Sequence, residues 1–440
     1  MPDTEQNKQS DFIMEKIKER PLNKKKLLRK TLITVCMAVI FGLIACLTFL
    51  ILEPVFSNWL YPEEEPPLVI LPEESDEMAP EDMLVEDEDE SSIQEVVESV
   101  ILEDEQLQKI LENLQLDKTH YEQFYSAMDA YVKELEASMV VVTVMTSDVD
   151  WLNNTYESEG RTSGVIIATN GSEYLILTDS ATVRGTESIL VTFIDGTGAE
   201  AELRQWDRQT GLAVVAVQID GLPESTRDKV KIADLGSSNM RDPVGVPVVA
   251  LGAPMGTVGS AGYGMLVSAG SIWSKVDATY KLLTTDIYGS QQATGVLFNM
   301  RSQIIGIIIP GGGGTDRRNA VTAIGISELR KLIENMSNGK ELAYLGVSGV
   351  DVTAAANKEM GVPYGAYVRE VAMDSPAMLA GIQRGDIIVE LDGSSIENFT
   401  NYTTTLQRLE AGQTVTIVVQ RLSQNSYREM SMEITLGAAN

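Results

Sequence analysis

Few side chains in this chain are able to carry out covalent or metal chemistry. The 440 residues include one histidine, His120, and two cysteines, Cys36 and Cys46. Both cysteines lie in an apolar stretch near the N-terminus, so the rest of the chain has no thiol nucleophile and no disulfide. A serine or threonine hydroxyl needs a neighbouring base to react, and we interpret His120 as a solvated residue at the start of a surface helix. Without clusters of histidine or cysteine, we expect no metal site and no cofactor.

The charge of the chain is strongly negative and unevenly distributed. Its net charge is -30, which argues against nucleic-acid binding because phosphate contact needs a basic face. Between Glu63 and Glu105 there is no lysine or arginine, and prolines are frequent in the first part of this stretch. We therefore predict a disordered acidic linker over residues 53–90, which cannot bury a core. A cation-binding stalk is the alternative to a solvated spacer.

An apolar, uncharged stretch precedes the acidic tract. Residues 31–52 are long enough to cross ~30 Å of hydrocarbon as one helix. Basic residues crowd the preceding tail, residues 1–30, which places this tail in the cytoplasm and the bulk of the chain outside it. We thus predict a single-pass protein of the cell membrane. The alternative is a lipoprotein processed at Cys46, since Leu43-Ile44-Ala45-Cys46 resembles a lipoprotein cleavage box.

The outer part of the chain changes pattern at about residue 138. Apolar residues at helical spacing predict a helical segment over residues 91–137, which either packs on the adjoining domain or mediates self-association. From residue 138 onward, short β-branched runs alternate with turns rich in Gly, Asp and Asn. This pattern predicts an all-β barrel architecture.

Three segments in this β region resemble the catalytic neighbourhoods of the HtrA-type (DegP-like) serine proteases. Residues 178–183 read Thr-Asp-Ser-Ala-Thr-Val, where the family has Thr-Asn-x-His-Val. Residues 211–214 read Gly-Leu-Ala-Val for the family's Asp-Leu-Ala-Val, and residues 291–297 read Gln-Gln-Ala-Thr-Gly-Val-Leu for its Gly-Asn-Ser-Gly-Gly-Pro-Leu. The resemblance covers residues 138–335 and implies a trypsin-like double β-barrel.

The resemblance places other residues at all three positions of the catalytic triad. His, Asp and Ser are replaced by Ala181, Gly211 and Ala293, so the hydroxyl, its base and the carboxylate that orients the base are all missing. In addition, Gln291 stands at the oxyanion-hole glycine of the family. We therefore predict a proteolytically inactive domain.

A non-standard nucleophile is the alternative. Anchoring the nucleophile loop on its N-terminal side gives Thr294 in place of Ala293, and Ser290 lies nearby. Lys275 and Lys281 are conceivable bases for such a hydroxyl.

The C-terminal region, residues 343–437, resembles the PDZ domain that follows HtrA-type proteases. Its residues 344–347 read Tyr-Leu-Gly-Val, similar to the carboxylate-binding loop of those domains, and Ser375-Pro376-Ala377 with Arg384-Gly385-Asp386 continue the match. We predict that Tyr344, Leu345, Gly346 and Val347 bind the carboxyl end of a peptide, which adds as a strand to a sheet edge. The alternative is a domain that only packs against the barrel.

Together these features predict a mainly β protein: a double barrel followed by a PDZ domain, behind one transmembrane helix, an acidic linker and a helical stalk. The expected function is envelope protein quality control, in which the PDZ domain binds peptide C-termini or misfolded proteins. Expected assemblies are a homo-oligomer or a mixed assembly with an active homologue. The alternatives are an active serine-type endopeptidase with a non-standard nucleophile, and a structural envelope component.

Overall fold

The computed structural model describes residues 35, 37–39, 41–42, 48, 67–72, 118–149, 155–186, 188–311, 319–424 and 426–439. The chain divides into two units, Met1–Pro66 and Pro67–Asn440, and all elements named below belong to the second. Within the described part of the chain, no helix is both long enough and apolar enough to cross a membrane. Most of the predicted transmembrane stretch and most of the predicted linker lie outside the described residues.

The first six strands form a closed barrel in the order β1-β2-β3-β6-β5-β4. Their bounds are β1 Met139–Val149, β2 Thr155–Thr169, β3 Glu173–Asp179, β4 Ser188–Thr192, β5 Gly198–Asp207 and β6 Leu212–Gln218, with the short helix α2 Ser180–Val183 after β3. Strand β6 is buried on both faces. Ala213, Val215 and Val217 point into this barrel's own core, whereas Leu212 and Val214 belong to the core between the barrels. This explains why β6 is a continuous apolar run without alternation.

A second barrel follows, with the strand order β11-β8-β9-β10-β13-β12-β7. The bounds are β7 Asp234–Leu235, β8 Pro247–Ala253, β9 Ser260–Lys275, β10 Ala278–Tyr288, β11 Thr294–Asn299, β12 Gln303–Ile308 and β13 Ala320–Gly325, and the helix α3 Glu224–Arg227 precedes them. Strand β11 also pairs with β12, which closes the sheet. The long strands β9 and β10 form a hairpin that turns at Val276 and Asp277.

Helix α4 (Ile326–Ser337) covers the core between the two barrels. It buries Leu329, Leu332, Ile333 and Met336 at helical spacing against side chains of both barrels. The mainly β double barrel expected from the sequence is confirmed.

The C-terminal elements form a separate core around a six-stranded sheet in the order β15-β16-β17-β19-β20, in which β18 also pairs with β17. The bounds are β14 Ala343–Tyr344, β15 Val347–Asp351, α5 Ala354–Met360, β16 Ala366–Val371, α6 Pro376–Ala380, β17 Ile387–Leu391, β18 Ser394–Ser395, α7 Phe399–Leu406, β19 Thr414–Ser423, β20 Ser426–Thr435 and β21 Gly437–Ala438. Strand β15 is an edge strand, and α7 packs near it. An edge strand next to a helix is a surface on which an extended peptide can pair.

Helix α1 (Lys118–Leu135) is the described part of the predicted helical segment. Its last turns bury Val132 and Leu135 in the core between the barrels, whereas Tyr121, Phe124 and Tyr125 in its first turns are exposed. His120 is exposed near the start of this helix. Of the described part of the predicted helical segment, the C-terminal half of α1 therefore packs on the barrels.

A short stretch of the predicted linker is ordered, which corrects the expectation of disorder there. Within residues 67–72, Val69 and Leu71 are buried and belong to the core under α4. The side chain of Asn338 accepts from the Val69 amide and donates to its carbonyl, both at 2.8 Å, as a neighbouring strand would. The prediction of disorder rested on the acids and prolines of the tract. A short apolar segment within it can still be ordered where it packs against an apolar surface of the folded domain.

Candidate functional site

The structure brings two of the three triad positions together at one end of the first barrel. The Ser180 amide donates to the Gly211 carbonyl at 2.8 Å, so the start of α2, with Ala181, lies beside the start of β6. Ala181 is exposed, and Gly211 has a φ of 75°. Neither position carries a group that can accept or orient a proton.

The third position, Ala293, is part of the apolar core of the second barrel. It is 3% exposed and packs with residues such as Val248 and Leu266. A nucleophile must face the substrate, whereas this side chain points into the protein. A hydroxyl placed at this position would therefore be buried.

The backbone around Ala293 does not form an oxyanion hole. In trypsin-like proteases the nucleophile's own amide helps to bind the oxyanion. Here the Ala293 amide donates to the Ser290 carbonyl at 3.1 Å. Gln291 is also not among the non-glycine residues with a positive φ, so the turn does not adopt a left-handed backbone that would favour glycine there. Both observations indicate a turn that stabilises itself.

A narrow cavity lies between the barrels at the predicted catalytic cleft. It is lined by residues of both barrels, including Asp179, Gly211, Thr294 and Gly295, and its volume is about 30 Å³. This volume suffices for roughly one or two water molecules. Strands β8 and β11 approach each other closely here. A Cβ on Gly295 would lie only 2.2 Å from the Leu251 carbonyl oxygen.

The alternative nucleophiles are engaged otherwise or lack a base. The Ser290 hydroxyl accepts from the Gln292 amide at 3.1 Å and thus closes its own turn. Thr294 lines the cavity, but Lys275 and Lys281 do not. The ammonium of Lys275 lies 3.9 Å from the ring centroid of Trp273, on the hairpin.

Asp179 is the one carboxylate at this cavity, and its role is structural. It accepts from the amide and the hydroxyl of Thr182 at 3.2 and 3.1 Å, which caps α2. Burial raises the pKa of the Asp179 carboxyl above its ordinary value, and the hydrogen bonds from Thr182 oppose that rise.

The predicted carboxylate-binding loop of the C-terminal domain does bind a carboxylate, that of Asp277. The amides of Leu345 and Gly346 donate to its Oδ2 at 2.8 and 2.7 Å, and the Val347 amide donates to Oδ1 at 2.9 Å. The Tyr402 hydroxyl, from α7, donates to Oδ1 at 2.6 Å. Asp277 comes from the tip of the β9–β10 hairpin, so one domain supplies the loop and the other supplies its occupant.

Asp277 is 7% exposed, and a buried charge is tolerated only when it is well matched by donors. Burial raises the pKa of its carboxyl, and the hydrogen bonds from Tyr402 and the three amides oppose the rise. Burial, together with the nearby carboxylate, also raises the pKa of Tyr402 well above its ordinary value. Tyr402 is therefore a neutral donor at any physiological pH.

The backbone of the hairpin also pairs with the C-terminal domain. The Asp277 amide donates to the Val347 carbonyl at 2.6 Å, on the free edge of β15. Strand β9 contacts β15, and β10 contacts α7. The hairpin tip therefore occupies the peptide groove, which we define as the space between β15 and α7.

The four predicted loop residues have different roles. Leu345, Gly346 and Val347 supply the converging amides, while the side chains of Leu345 and Val347 are in the domain core. Tyr344 instead pairs with Gly437 in the small β14–β21 sheet. Sequence reasoning missed Asp277 and Tyr402, and no local signal marks either one: Asp277 reads as an ordinary turn residue and Tyr402 as part of a helical stripe.

Two family descriptions match this chain. Residues 162–307 match a trypsin-like peptidase domain, and residues 343–433 match a PDZ domain. The solved structure of the HtrA-type protease AlgW with decapeptide superposes with a TM-score of 0.50 at 21% identity, covering 69% of this chain and 97% of that chain. The form of AlgW with tripeptide gives the same TM-score at 23% identity, covering 70% and 95%. These structures share the fold.

Curated relatives extend the match at the level of sequence. The periplasmic pH-dependent serine endoprotease DegQ of Escherichia coli is 28% identical over 287 residues, covering 63% of this chain and 59% of that protein. The serine protease Do-like HtrA of Bacillus subtilis is 30% identical over 302 residues, covering 63% of each. The putative serine protease HhoB of Synechocystis is 28% identical over 279 residues, and 64% of it is covered. The match thus spans about three fifths of the length of these relatives.

Gly346 allows the loop to close on a carboxylate, and its replacement tests this. A Cβ at this position would lie 2.2 Å from the Ser375 Cβ, and φ is 96°. We expect Gly346→Ala to lower the free energy of unfolding by about 3 kcal/mol or more, since left-handed strain and overpacking add. Gly393→Ala is the matched control, because Gly393 has a φ of 75° and nothing within 4 Å of its Cβ position. It should cost only about 1 kcal/mol, the strain alone. Equal losses in urea unfolding would contradict the close packing of this loop.

Proposed function

Since this chain is homologous to the HtrA/DegP serine proteases and combines a trypsin-like peptidase domain with one PDZ domain, we propose that it binds polypeptide carboxyl termini without cleaving them. In this proposal the peptidase domain is an inactive scaffold, and the PDZ domain captures free carboxyl termini or misfolded proteins in the cell envelope. The observation that carries the proposal is the set of three amides, from Leu345 to Val347, that converge on one carboxylate.

The proposal of inactivity is supported by chemistry and by shape. No histidine is available in the cleft, since the one histidine of the chain lies on α1. The residue at the predicted nucleophile position is buried, and its amide is bound within its own turn. Restoring one side chain would leave the other obstacles in place.

The full-length protein should not hydrolyse unfolded casein and should not react with a fluorophosphonate probe. In subtilisin, a serine protease with a different fold but the same triad chemistry, removal of the catalytic triad lowers kcat on the order of 10⁶-fold. Ala293→Ser should remain unlabelled too, because the new hydroxyl is buried and has no base. An active HtrA-type protease serves as the positive control. Labelling that disappears in Ser290→Ala or Thr294→Ala would instead support an endopeptidase with a non-standard nucleophile.

The proposed binding mode uses the amides of the loop and the free edge of β15. A terminal carboxylate has the same two oxygens as the Asp277 side chain, and hydrogen bonds to a charged group are each worth about 1.5–3 kcal/mol. The peptide backbone would then pair with β15 and lie beside α7, where the hairpin tip now lies.

Peptides with a free, apolar C-terminus should bind with dissociation constants in the micromolar range, because a short peptide buries little surface and loses its own freedom. Amidation of the C-terminus should abolish binding, since the loop amides would lose their anionic partner. Fluorescence anisotropy with matched free and amidated peptides measures this. Equal binding of the two forms would remove carboxylate capture from the proposal and favour a domain that serves only assembly.

The proposed location is the outer face of the cell membrane, with residues 31–52 as a single anchor and the N-terminus in the cytoplasm. This is supported by the apolar, uncharged stretch after a basic tail and by relatives named as periplasmic.

Protease added to cells with a permeable outer layer should digest the outer domains and leave an N-terminal tag intact. Digestion of the tag, or a mature chain that starts at Cys46, would contradict this topology.

A further inference from the structure

We propose that the β9–β10 hairpin is an internal ligand of the PDZ domain, and that a polypeptide carboxyl terminus binds only by displacing Asp277 from the loop. This inference rests on the proposed function, because it concerns the regulation of the same loop. In this proposal, the peptidase domain controls the access of an external peptide to the peptide groove.

The contacts of Asp277 satisfy the loop completely. All three loop amides and the Tyr402 hydroxyl donate to its carboxylate, at 2.6–2.9 Å. A peptide carboxylate that needs the same donors cannot bind at the same time. The backbone contact from the Asp277 amide to the Val347 carbonyl likewise takes the first pairing position on β15. The occupant therefore imitates both parts of a bound peptide, its terminal charge and its strand pairing.

The hairpin holds the carboxylate in a fixed position. Lys275 pairs with Ala278, so the turn has only two residues, and Asp277 has a φ of 58°, which Asp and Asn tolerate best among non-glycine residues. Trp273 and Tyr280 are paired across the hairpin with ring centroids 6.2 Å apart. A ligand that is rigid before it binds loses little entropy when it binds.

Covalent connection gives this occupant an advantage over any free peptide. A tethered ligand acts at an effective concentration on the order of millimolar, whereas free peptide ends compete from solution. Occupancy by Asp277 therefore raises the apparent dissociation constant of every external peptide. Removing the carboxylate should lower that constant by at least about 10-fold.

The test measures peptide affinity in full-length protein with and without the internal carboxylate. The probe is a fluorescent peptide that ends in a free valine carboxylate, with its amidated form alongside. Asp277→Asn keeps the size of the side chain and the left-handed backbone while removing the charge. We expect it to bind the free-acid peptide at least about 10-fold more tightly than the wild type. Asp277→Gly, which also suits a φ of 58°, should behave in the same way.

Asp392→Asn is the matched control, because Asp392 is an exposed turn residue of the PDZ domain with a φ of 47°. It should leave the affinity unchanged. Equal affinities for the wild type, Asp277→Asn and Asp277→Gly would overturn the internal ligand and leave the proposed function standing.

Amide hydrogen exchange of residues 345–347 separates the two hypotheses if no variant binds the peptide. In that case the proposed function fails. Exchange that becomes faster in Asp277→Asn but not in Asp392→Asn would then still support the hairpin as the internal ligand of the loop. Exchange unchanged in both variants would overturn the internal ligand as well.

Discussion

The burial of one carboxylate, that of Asp277, constrains how the two folded domains meet. A charge removed from water needs a donor for each strong acceptor position, and four donors from the PDZ domain meet this requirement. Moving either domain by a few ångströms would leave the carboxylate, or the amides of the loop, buried without partners. The hydrogen bonds of Asp277 therefore permit only a narrow range of relative positions of the two domains. They involve the same loop that binds the peptide in the proposed function.

The predicted catalytic cleft and the PDZ groove differ in the groups that they present. In the cleft, the predicted triad positions hold Ala181, Gly211 and Ala293, the Ala293 side chain is in the core and the cavity is about 30 Å³. In the PDZ domain, the loop amides keep an arrangement suited to an anion, and Gly346 keeps the backbone conformation that this requires. The proposed function rests on this difference: geometry suited to recognition in the PDZ domain, and no triad side chains at the predicted catalytic positions.

The hairpin connects these two sites physically. Strands β9 and β10 are central strands of the second barrel, and their far end enters the PDZ groove. Tyr280 lies in the core shared by the two barrels, only three residues from Asp277. A change in the packing of that core has a short route to the loop, since it is transmitted along paired strands rather than through a flexible linker.

The sequence by itself determined the mainly β fold and the order of its trypsin-like and PDZ domains, and it predicted the replaced triad and the carboxylate-binding loop. Each of these follows from neighbouring residues: β-branched runs, turn residues, or a motif such as Tyr344-Leu345-Gly346-Val347. The prediction of disorder for the acidic tract was wrong at residues 67–72. It rested on overall composition, whereas these residues include an apolar segment whose partner, Asn338, is distant in sequence.

Only the tertiary structure decided what binds the loop. Asp277 lies 68 residues before Leu345 and 125 before Tyr402, and neither Asp277 nor Tyr402 is unusual in its own segment. The way two folded domains dock is set by the shapes and charges of their complete surfaces. A pattern of adjacent residues does not contain that information, so the identity of the buried carboxylate had to come from the assembled fold.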